Sequence, residues 1–442
     1  METGRSAALD VLLQMERGGG YSTIALEKRL RASRLGAQDR SFCTALCKSV
    51  TERRLTADHV LRRYLSRPLE RLDAEVRCIL RMGVCQLLYF RSVPARAAVD
   101  ESVRLCAYAR KTSAKGLVNG VLRSFLRDGC ALPPCKGDEL DRLSVLYSAP
   151  RPLIALLREA LGPERAGVLL QRALEPAPLC VRVNTLRTSA DALGEALSAC
   201  GVQVKRSAED PDALFLQDTG SLEKLGAFRD GLFHVQDLVC QLCARAVDAQ
   251  PGMRVLDVCA APGGKGFSMA ERMEGRGKVV CCDIHPHKVE LVRQGAERLG
   301  LSSIIPMVQD ATVYNEKLTG FDRVLCDVPC SGLGILRRKP EIKYKDLVSF
   351  AALPPMQYKI LEISAQYCKE NGILVYATCT LLPAENEEVA GRFLKEHPEF
   401  EPAPHPLLGG VWQRTFLPGE MGDGFFLARL RRRGVPGKGA AV

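Results

Sequence analysis

The chain has 442 residues, 46% of them hydrophobic and 26% charged, which is enough for two or three domains with cores of their own and excludes a disordered protein. No run approaches the roughly 18 uninterrupted apolar residues of a membrane span, and the opening "METGRSAALDVLLQMERGGG" lacks the basic-then-apolar layout of a signal peptide, so a cytoplasmic protein with no membrane partner is expected. The formal net charge is +11: residues 1–130 hold 24 Lys and Arg against 13 Asp and Glu, and the remaining 38 basic and 38 acidic residues cancel. All the excess positive charge therefore lies in the first third, the electrostatic footprint of a nucleic-acid-binding module joined to a balanced globular one. Eighteen cysteines, scattered through apolar segments of a long chain, read as reduced core residues rather than a disulfide framework.

The first 130 residues read as helices with almost no strand. "SAALDVLLQMERGGG" places Ala8, Val11, Leu12 and Met15 on one face and stops at glycines, and "LDAEVRCILRMGVCQLLYF" repeats the pattern. "AAVDESVRLCAYAR" and "LVNGVLRSFLRDG" follow, before the paired prolines of "CALPPCKGDE" mark a linker. A helical domain over 1–135 is expected, then a small α+β subdomain over 141–230 in which "PLCVRVNTLRT" and "DALFLQD" are strands around the helix "ADALGEALSACG". From about 250 the rhythm is strand, loop, helix: "MRVLDV", "GKVVCCD", "SIIPMVQDA", "FDRVLCDVPC" and "GILVYATCT" read as continuous apolar strands of a parallel sheet covered on both faces. The expected α/β Rossmann-like domain spans 231–432, with a flexible tail over 433–442.

Ligands in such sheets bind at the carboxyl ends of the strands. There "VLDVCAAPGGKG" runs from a strand through a small-residue turn into a helix, so that backbone can approach a ligand at Gly263 and Gly264. Asp283 ends the next strand, where a carboxylate can take both hydroxyls of a ribose, and Asp310 ends the one after, within reach of an adenine amino group. With neither a GxGxxG fingerprint nor a P-loop, S-adenosylmethionine fits better than a nicotinamide or a nucleoside triphosphate.

Two cysteines, Cys330 in "DVPCSG" and Cys379 in "YATCT", end neighbouring apolar strands. Methylation at C5 of cytosine asks for such a group: a thiolate adding to C6 makes C5 carbanion-like, and after transfer the C5 proton leaves so that the cysteine can be eliminated. An acid near N3 and a basic group are also needed, and Asp327 and Lys265 are of those types. Position alone leaves open which cysteine attacks.

At these residues the chain resembles a known family. "VLDVCAAPGGK", "DVPCSGLGILRRKPEIKY" and "YATCTLLPAENEEV" look like the motifs of the RNA 5-methylcytosine methyltransferases of the RsmB/NOP (Sun) family, and the basic helical front end resembles the NusB-type RNA-binding domain. The resemblance covers nearly the whole chain and implies a NusB-like all-α domain, a small α+β subdomain and a class I methyltransferase domain acting on 16S ribosomal RNA. It assigns Cys259, Ala260, Ala261, Pro262, Gly263, Gly264 and Lys265 to cofactor binding, Asp283 to the ribose, Asp310 to the adenine, and Asp327 to the space between cofactor and base. It makes Cys379 the nucleophile and Cys330 the residue that helps release product. Gly266, Val328 and His234 depart from the residues common in the family at those places.

"LRRKPEIKYK" supplies Arg337, Arg338, Lys339 and Lys343 as candidate RNA contacts, with Lys345 and Tyr344 beside them; "RVNTLR", Arg182 to Arg187, is a weaker candidate. "CQLC" lies in a helical stretch with no second pair nearby, so no metal is expected, and a monomer is the default. The competing readings are a non-catalytic RNA-binding ribosome assembly factor and a methyltransferase of transfer RNA or DNA.

Overall fold

Apolar residues at helical spacing build the first part of the molecule, in a computed structural model that describes residues 2–18, 22–419 and 421–434. Ten helices follow one another: α1 (Gly4–Glu16), α2 (Ser22–Arg31), α3 (Ala37–Glu52), α4 (Arg54–Tyr64), α5 (Ala74–Tyr89), α6 (Ala95–Tyr108), α7 (Lys115–Arg127), α8 (Glu139–Tyr147), α9 (Arg151–Leu161) and α10 (Pro163–Arg172). Helix α5 is central, burying Cys78, Ile79, Leu80, Met82, Val84 and Cys85 against side chains of α1, α3, α6 and α7. Its Arg81 is buried too, and is held by Asp58 of α4 at 2.6 Å and by Glu16 of α1. Burying that guanidinium is tolerable because carboxylates meet it on two sides.

Residues Met1–Leu174 and Arg338–Lys345 form one compact unit. It runs past the prolines at which the helical domain was expected to end, since α8 packs on α4 and Thr56 Oγ1 donates to the carbonyl of Val145 at 2.7 Å. Helices α9 and α10 were not expected. Each carries proline in its first turn, where no N–H partner is lost and φ is already helical.

The second unit, Glu175–Arg337 with Asp346–Val442, holds two sheets. The smaller is antiparallel, in order β2-β3-β1-β4, from β1 (Leu179–Val183), β2 (Gln203–Arg206), β3 (Ala213–Gln217) and β4 (Phe233–Val235), with α11 (Ala190–Ala199) and α12 (Gly226–Arg229) between strands. Val181, Val183, Leu193, Leu197, Leu214, Leu216 and Phe233 make its core. The strands expected at "PLCVRVNTLRT" and "DALFLQD" are β1 and β3.

The larger sheet contains β5 (Arg254–Asp257), β6 (Lys278–Asp283), β7 (Ile304–Val308), β8 (Phe321–Asp327), β9 (Cys368–Thr378), β10 (Phe400–Pro402), β11 (Gln413–Phe416) and β12 (Phe425–Arg432), in order β10-β12-β9-β8-β5-β6-β7 with β11 on β12. Helices α13 (Leu238–Ala246), α14 (Gly264–Arg272), α15 (Pro286–Leu299), α16 (Leu353–Tyr367) and α17 (Glu387–Glu396) complete the unit. Buried cores line the sheet on both faces, as its doubly apolar strands require. It is mixed rather than wholly parallel: β5 to β9 run parallel, whereas β12 is antiparallel to β9. From β5 the chain first builds outward through β6 and β7, then returns to β8 on the other side, so the carboxyl ends of β5 and β8 flank a topological switch point. Of the expected 433–442 tail, residues 435–442 lie outside the described residues.

Candidate active site

Parallel register brings the sequence motifs to one edge. Asp257 of β5 pairs with Leu325 of β8 and Cys281 of β6, and Asp327 of β8 pairs with Ala377 of β9. Cys330 follows Asp327 by three residues and Cys379 follows Ala377 by two, so both turns leave adjacent strands at the same end. Their sulfurs are 3.2 Å apart, and both residues are partly exposed.

The glycine turn occupies the end of β5. Ala260 N donates to the carbonyl of Cys282 and Gly263 N to that of Ala260, both at 2.7 Å, which folds the turn over the end of β6. Gly263 has φ of +111°, and a Cβ there would strike the ring of Phe267 at 2.4 Å, so only glycine serves. Helix α14 then begins at Gly264 with no side chain capping its N-terminus. A bound carboxylate suits such an end, because the first N–H groups of a helix point outward and carry partial positive charge. Asp283, at the end of β6, is 7% exposed, with Oδ1 accepting from His285 N at 3.0 Å and Lys288 Nζ 3.8 Å from Oδ2. Asp310 accepts from Thr312 N and Oγ1 through Oδ1, a local turn that fixes its carboxyl. The residues expected from sequence to bind cofactor therefore stand at the ends of β5, β6 and β7, with Asp327 at the end of β8.

Lys265, in the first turn of α14, reaches across to Asp327 with 2.6 Å between Nζ and Oδ2, and its ammonium lies 5.2 Å from the centre of the Phe425 ring. Burial by itself disfavours this ammonium, but the Asp327 carboxylate and its hydrogen bond outweigh burial and hold Lys265 well above the usual lysine range. Lys265 is thus a charged donor at neutral pH, not a free base.

Two groups that the motif reading passed over sit in the same place. Asp257 is 1% exposed, and burial first, then the nearby Asp327 charge, push it up to about 7, against the Lys265 charge and a backbone hydrogen bond from Cys259. Its signal was an acid inside the apolar run "VLDV". Glu385, also 1% exposed, accepts from Ser331 N at 2.9 Å and from Gln357 Nε2 at 2.8 Å. Gln357 donates as well to the carbonyl of Pro329, Ser331 Oγ is 2.7 Å from Thr380 Oγ1, and Asn386 bridges Thr378 and Thr380. These bonds tie the Pro-Cys turn to the Thr-Cys turn.

The departures at Gly266 and His234 have local causes. A Cβ on Gly266 would meet Cys281 Sγ at 2.5 Å, so the thiol of β6 fills the space a larger residue would need. His234 is buried edge-on to Phe267 with ring centres 5.7 Å apart, and burial, with Arg182 and Arg298 nearby, pushes it down to about 3. Among the candidate RNA contacts, two are corrected by their placement. Arg337 is 4% exposed, with Nε 2.5 Å from Asp423 Oδ1, and Lys343 is 1% exposed, with Nζ donating to the carbonyl of Glu52 at 2.7 Å. Both are spent on internal partners and present no charge to a phosphate. Arg182 is likewise buried, against Glu271, Asp212 and Asp210. Lys339 is exposed and Arg338 half-buried.

Three family models match: the NusB family over residues 2–127, the ferredoxin-like domain of RsmF/B-like methyltransferases over 149–223, and 16S rRNA methyltransferase RsmB/F over 244–431. A probable ribosomal RNA small subunit methyltransferase B of Bacillus subtilis is 34% identical over 97% of this chain and 99% of its own length. The ribosomal RNA small subunit methyltransferase B of Klebsiella pneumoniae is 32% identical over 97% and 98%. Among solved structures, that of PH0851 superposes with a TM-score of 0.81 over 98% of this chain and 99% of the other at 23% identity, which shows the fold. A methyltransferase homologue from Pyrococcus horikoshii superposes with a TM-score of 0.59 at 27% identity, over 67% of this chain and 99% of its own.

Proposed function

Since the chain belongs to the RsmB/F family of 16S rRNA methyltransferases, with S-adenosylmethionine as its methyl donor, we propose that it methylates C5 of a cytosine in 16S rRNA through a covalent cysteine adduct. The observation that carries this reading is the pair of thiols 3.2 Å apart, at the strand ends that also present the Lys265–Asp327 pair. A methyltransferase acting on oxygen or on an exocyclic nitrogen has no use for two cysteines there.

Bound donor supplies an electrophilic methyl group. The uncapped start of α14 suits its carboxylate, Asp283 its ribose hydroxyls and Asp310 its adenine. Cys379, as thiolate, adds to C6 of the base. The Lys265–Asp327 pair meets the N3 side of the ring, where negative charge develops: the Lys265 ammonium offsets that charge, and Asp327 serves there only in its protonated form, as a donor to N3. After transfer to C5, the C5 proton passes to water at the partly exposed thiols as the Cys379–C6 bond breaks, its electron pair leaving on the Cys379 thiolate and the aromatic ring being restored, with Cys330 assisting release. A thiol of pKa ~8.5 is about 3% ionised at neutral pH, so full ionisation gives roughly 30-fold, about 2 kcal/mol of barrier. Most of the acceleration must then come from holding base and donor in line and from charge placed at the ring.

The test is transfer of labelled methyl to unmodified 16S rRNA, transfer RNA and duplex DNA, with the product nucleoside identified by mass spectrometry. Label in 5-methylcytidine from 16S rRNA supports the reading. Label in another nucleoside, or RNA binding with no transfer to any substrate, would overturn it, the last favouring an assembly factor.

A further inference from the structure

Two thiols in contact share a question that neither motif answers: which sulfur keeps the proton. Cys330 and Cys379 come from turns that leave adjacent strands at the same end, are both partly exposed, and sit at 3.2 Å. The asymmetry lies in what stands behind them. Behind Cys330 is Glu385, whose Oε2 is bound to the N–H of the very next residue, Ser331, and whose Oε1 is buried without a hydrogen-bond partner.

We propose that Glu385 is a positioning residue that selects the nucleophile: by clamping the Pro-Cys turn and setting a negative charge beside Cys330, it keeps the shared proton on Cys330 and leaves Cys379 as the sulfur that attacks. When the pair loses one proton to solvent, the remaining S–H of Cys330 points at the Cys379 thiolate and stabilises it. Three groups near Cys330 act in the same direction. Cys379 from the β9 turn and Glu385 and Asp327 all disfavour a charge on Cys330, and the Tyr376 phenol is tied to the carbonyl of Glu385 at 2.5 Å instead of donating to the thiol. Contact with Cys379 first, then burial, then Glu385 and Asp327 hold the Cys330 thiol well above the ordinary cysteine range. Gln357 Nε2 and Ser331 N both donate to Oε2, which anchors that oxygen beside the turn. The same clamp sets the geometry that a product-release step by Cys330 needs, since the proton retained there is the one available to be given up later.

This inference deepens the two-cysteine reading, but its test uses neither RNA nor methyl donor, so the failure of one is distinguishable from the failure of the other. The full-length protein is alkylated with iodoacetamide from pH 5 to 10, and initial rates at Cys330 and Cys379 are read by peptide mass spectrometry in wild type, Glu385→Gln and Glu385→Asp. The midpoint of each profile reports ionisation independently of access. In wild type Cys379 is expected to have the lower midpoint. Glu385→Gln, which keeps the shape and removes the charge, is expected to bring the Cys330 midpoint down by about one pH unit, and Glu385→Asp to restore the wild-type order. Unchanged midpoints in Glu385→Gln, or equal shifts in the Gln and Asp variants, would overturn the proposal. Should the Gln variant fail to fold, wild type alone still decides: a Cys330 midpoint below that of Cys379 refutes it.

Discussion

Lys265 Nζ and Asp327 Oδ2, 62 positions apart in the sequence, meet at 2.6 Å across the switch point of the sheet. One comes from the helix that follows β5 and the other from the end of β8, so the pair exists only because those strands are neighbours. Removing the ammonium leaves the Asp327 carboxylate close to the buried Asp257 without its cationic partner. Lys265→Met is expected to lower methyl transfer by about 10²-fold or more, in the range seen when one electrostatic stabiliser is lost. Lys265→Arg is expected not to rescue it, because a planar fork cannot reproduce a point charge in this space. Single-turnover rates at saturating donor would measure both.

Asp257 gives a pH dependence whose sign follows from its burial. Its carboxyl is raised to about 7 in the folded chain, against ~3.9 when unfolded, so between those values the folded state holds the extra proton. Its contribution to stability is complete below about pH 4 and is lost as pH rises through about 7. Asp257→Asn removes this pH-dependent contribution. The melting temperature of the variant minus that of wild type should therefore be larger at pH 8.5 than at pH 5.5, by at least about 3 °C. A difference that is flat with pH, or that falls, would refute the assignment.

Gly334 lies where three backbones crowd. Its N–H donates to the carbonyl of Cys379 at 2.9 Å, its own carbonyl accepts from Gly424 N at 2.8 Å, and a Cβ would meet the Gly424 oxygen at 2.1 Å. None of those atoms is the end of a flexible side chain. Gly334→Ala should therefore displace the Cys379 turn and lower methyl transfer at least about tenfold. S-adenosylhomocysteine binding, followed calorimetrically, should persist, because the cofactor residues lie on β5 to β7.

The basic stretch after the Pro-Cys motif divides by burial. Lys339→Ala is expected to weaken RNA binding and to reduce the slope of log affinity against log salt by about 0.7 to 1, as loss of one phosphate contact does. Lys343→Met should leave that slope unchanged. Lys343 is held down to about 7 by burial, with Glu52 opposing and Arg53 adding to it, so replacing it with an apolar chain removes a buried internal partner of Glu52 rather than a phosphate contact. Filter binding at four salt concentrations separates the two.

The contrast between those lysines shows what a sequence can carry. "LRRKPEIKYK" reads as a charged loop because composition cannot reveal that Arg337 finds Asp423, 86 residues on, or that Lys343 finds the carbonyl of Glu52, 291 residues back. The strands from β5 to β9 were legible because apolar runs ending in Asp, Gly or Cys have few other uses, and the proposed cofactor residues come together because they occupy those ends. Helices α9, α10 and α16 were hidden by prolines in their first turns, which read as breakers and in place act as starts. Asp257 and Glu385 were in plain view in quoted motifs, but only burial sets such a carboxylate apart, and burial is a property of the fold.

The covalent step is most directly tested on a denaturing gel of protein, unmodified 16S rRNA and S-adenosylmethionine, comparing wild type, Cys330→Ala and Cys379→Ala. Attack by Cys379 with release assisted by Cys330 predicts that Cys330→Ala alone accumulates a protein–RNA adduct, while Cys379→Ala gives neither adduct nor methylation. An adduct or methylated RNA from Cys379→Ala would contradict it and move the attack to another residue.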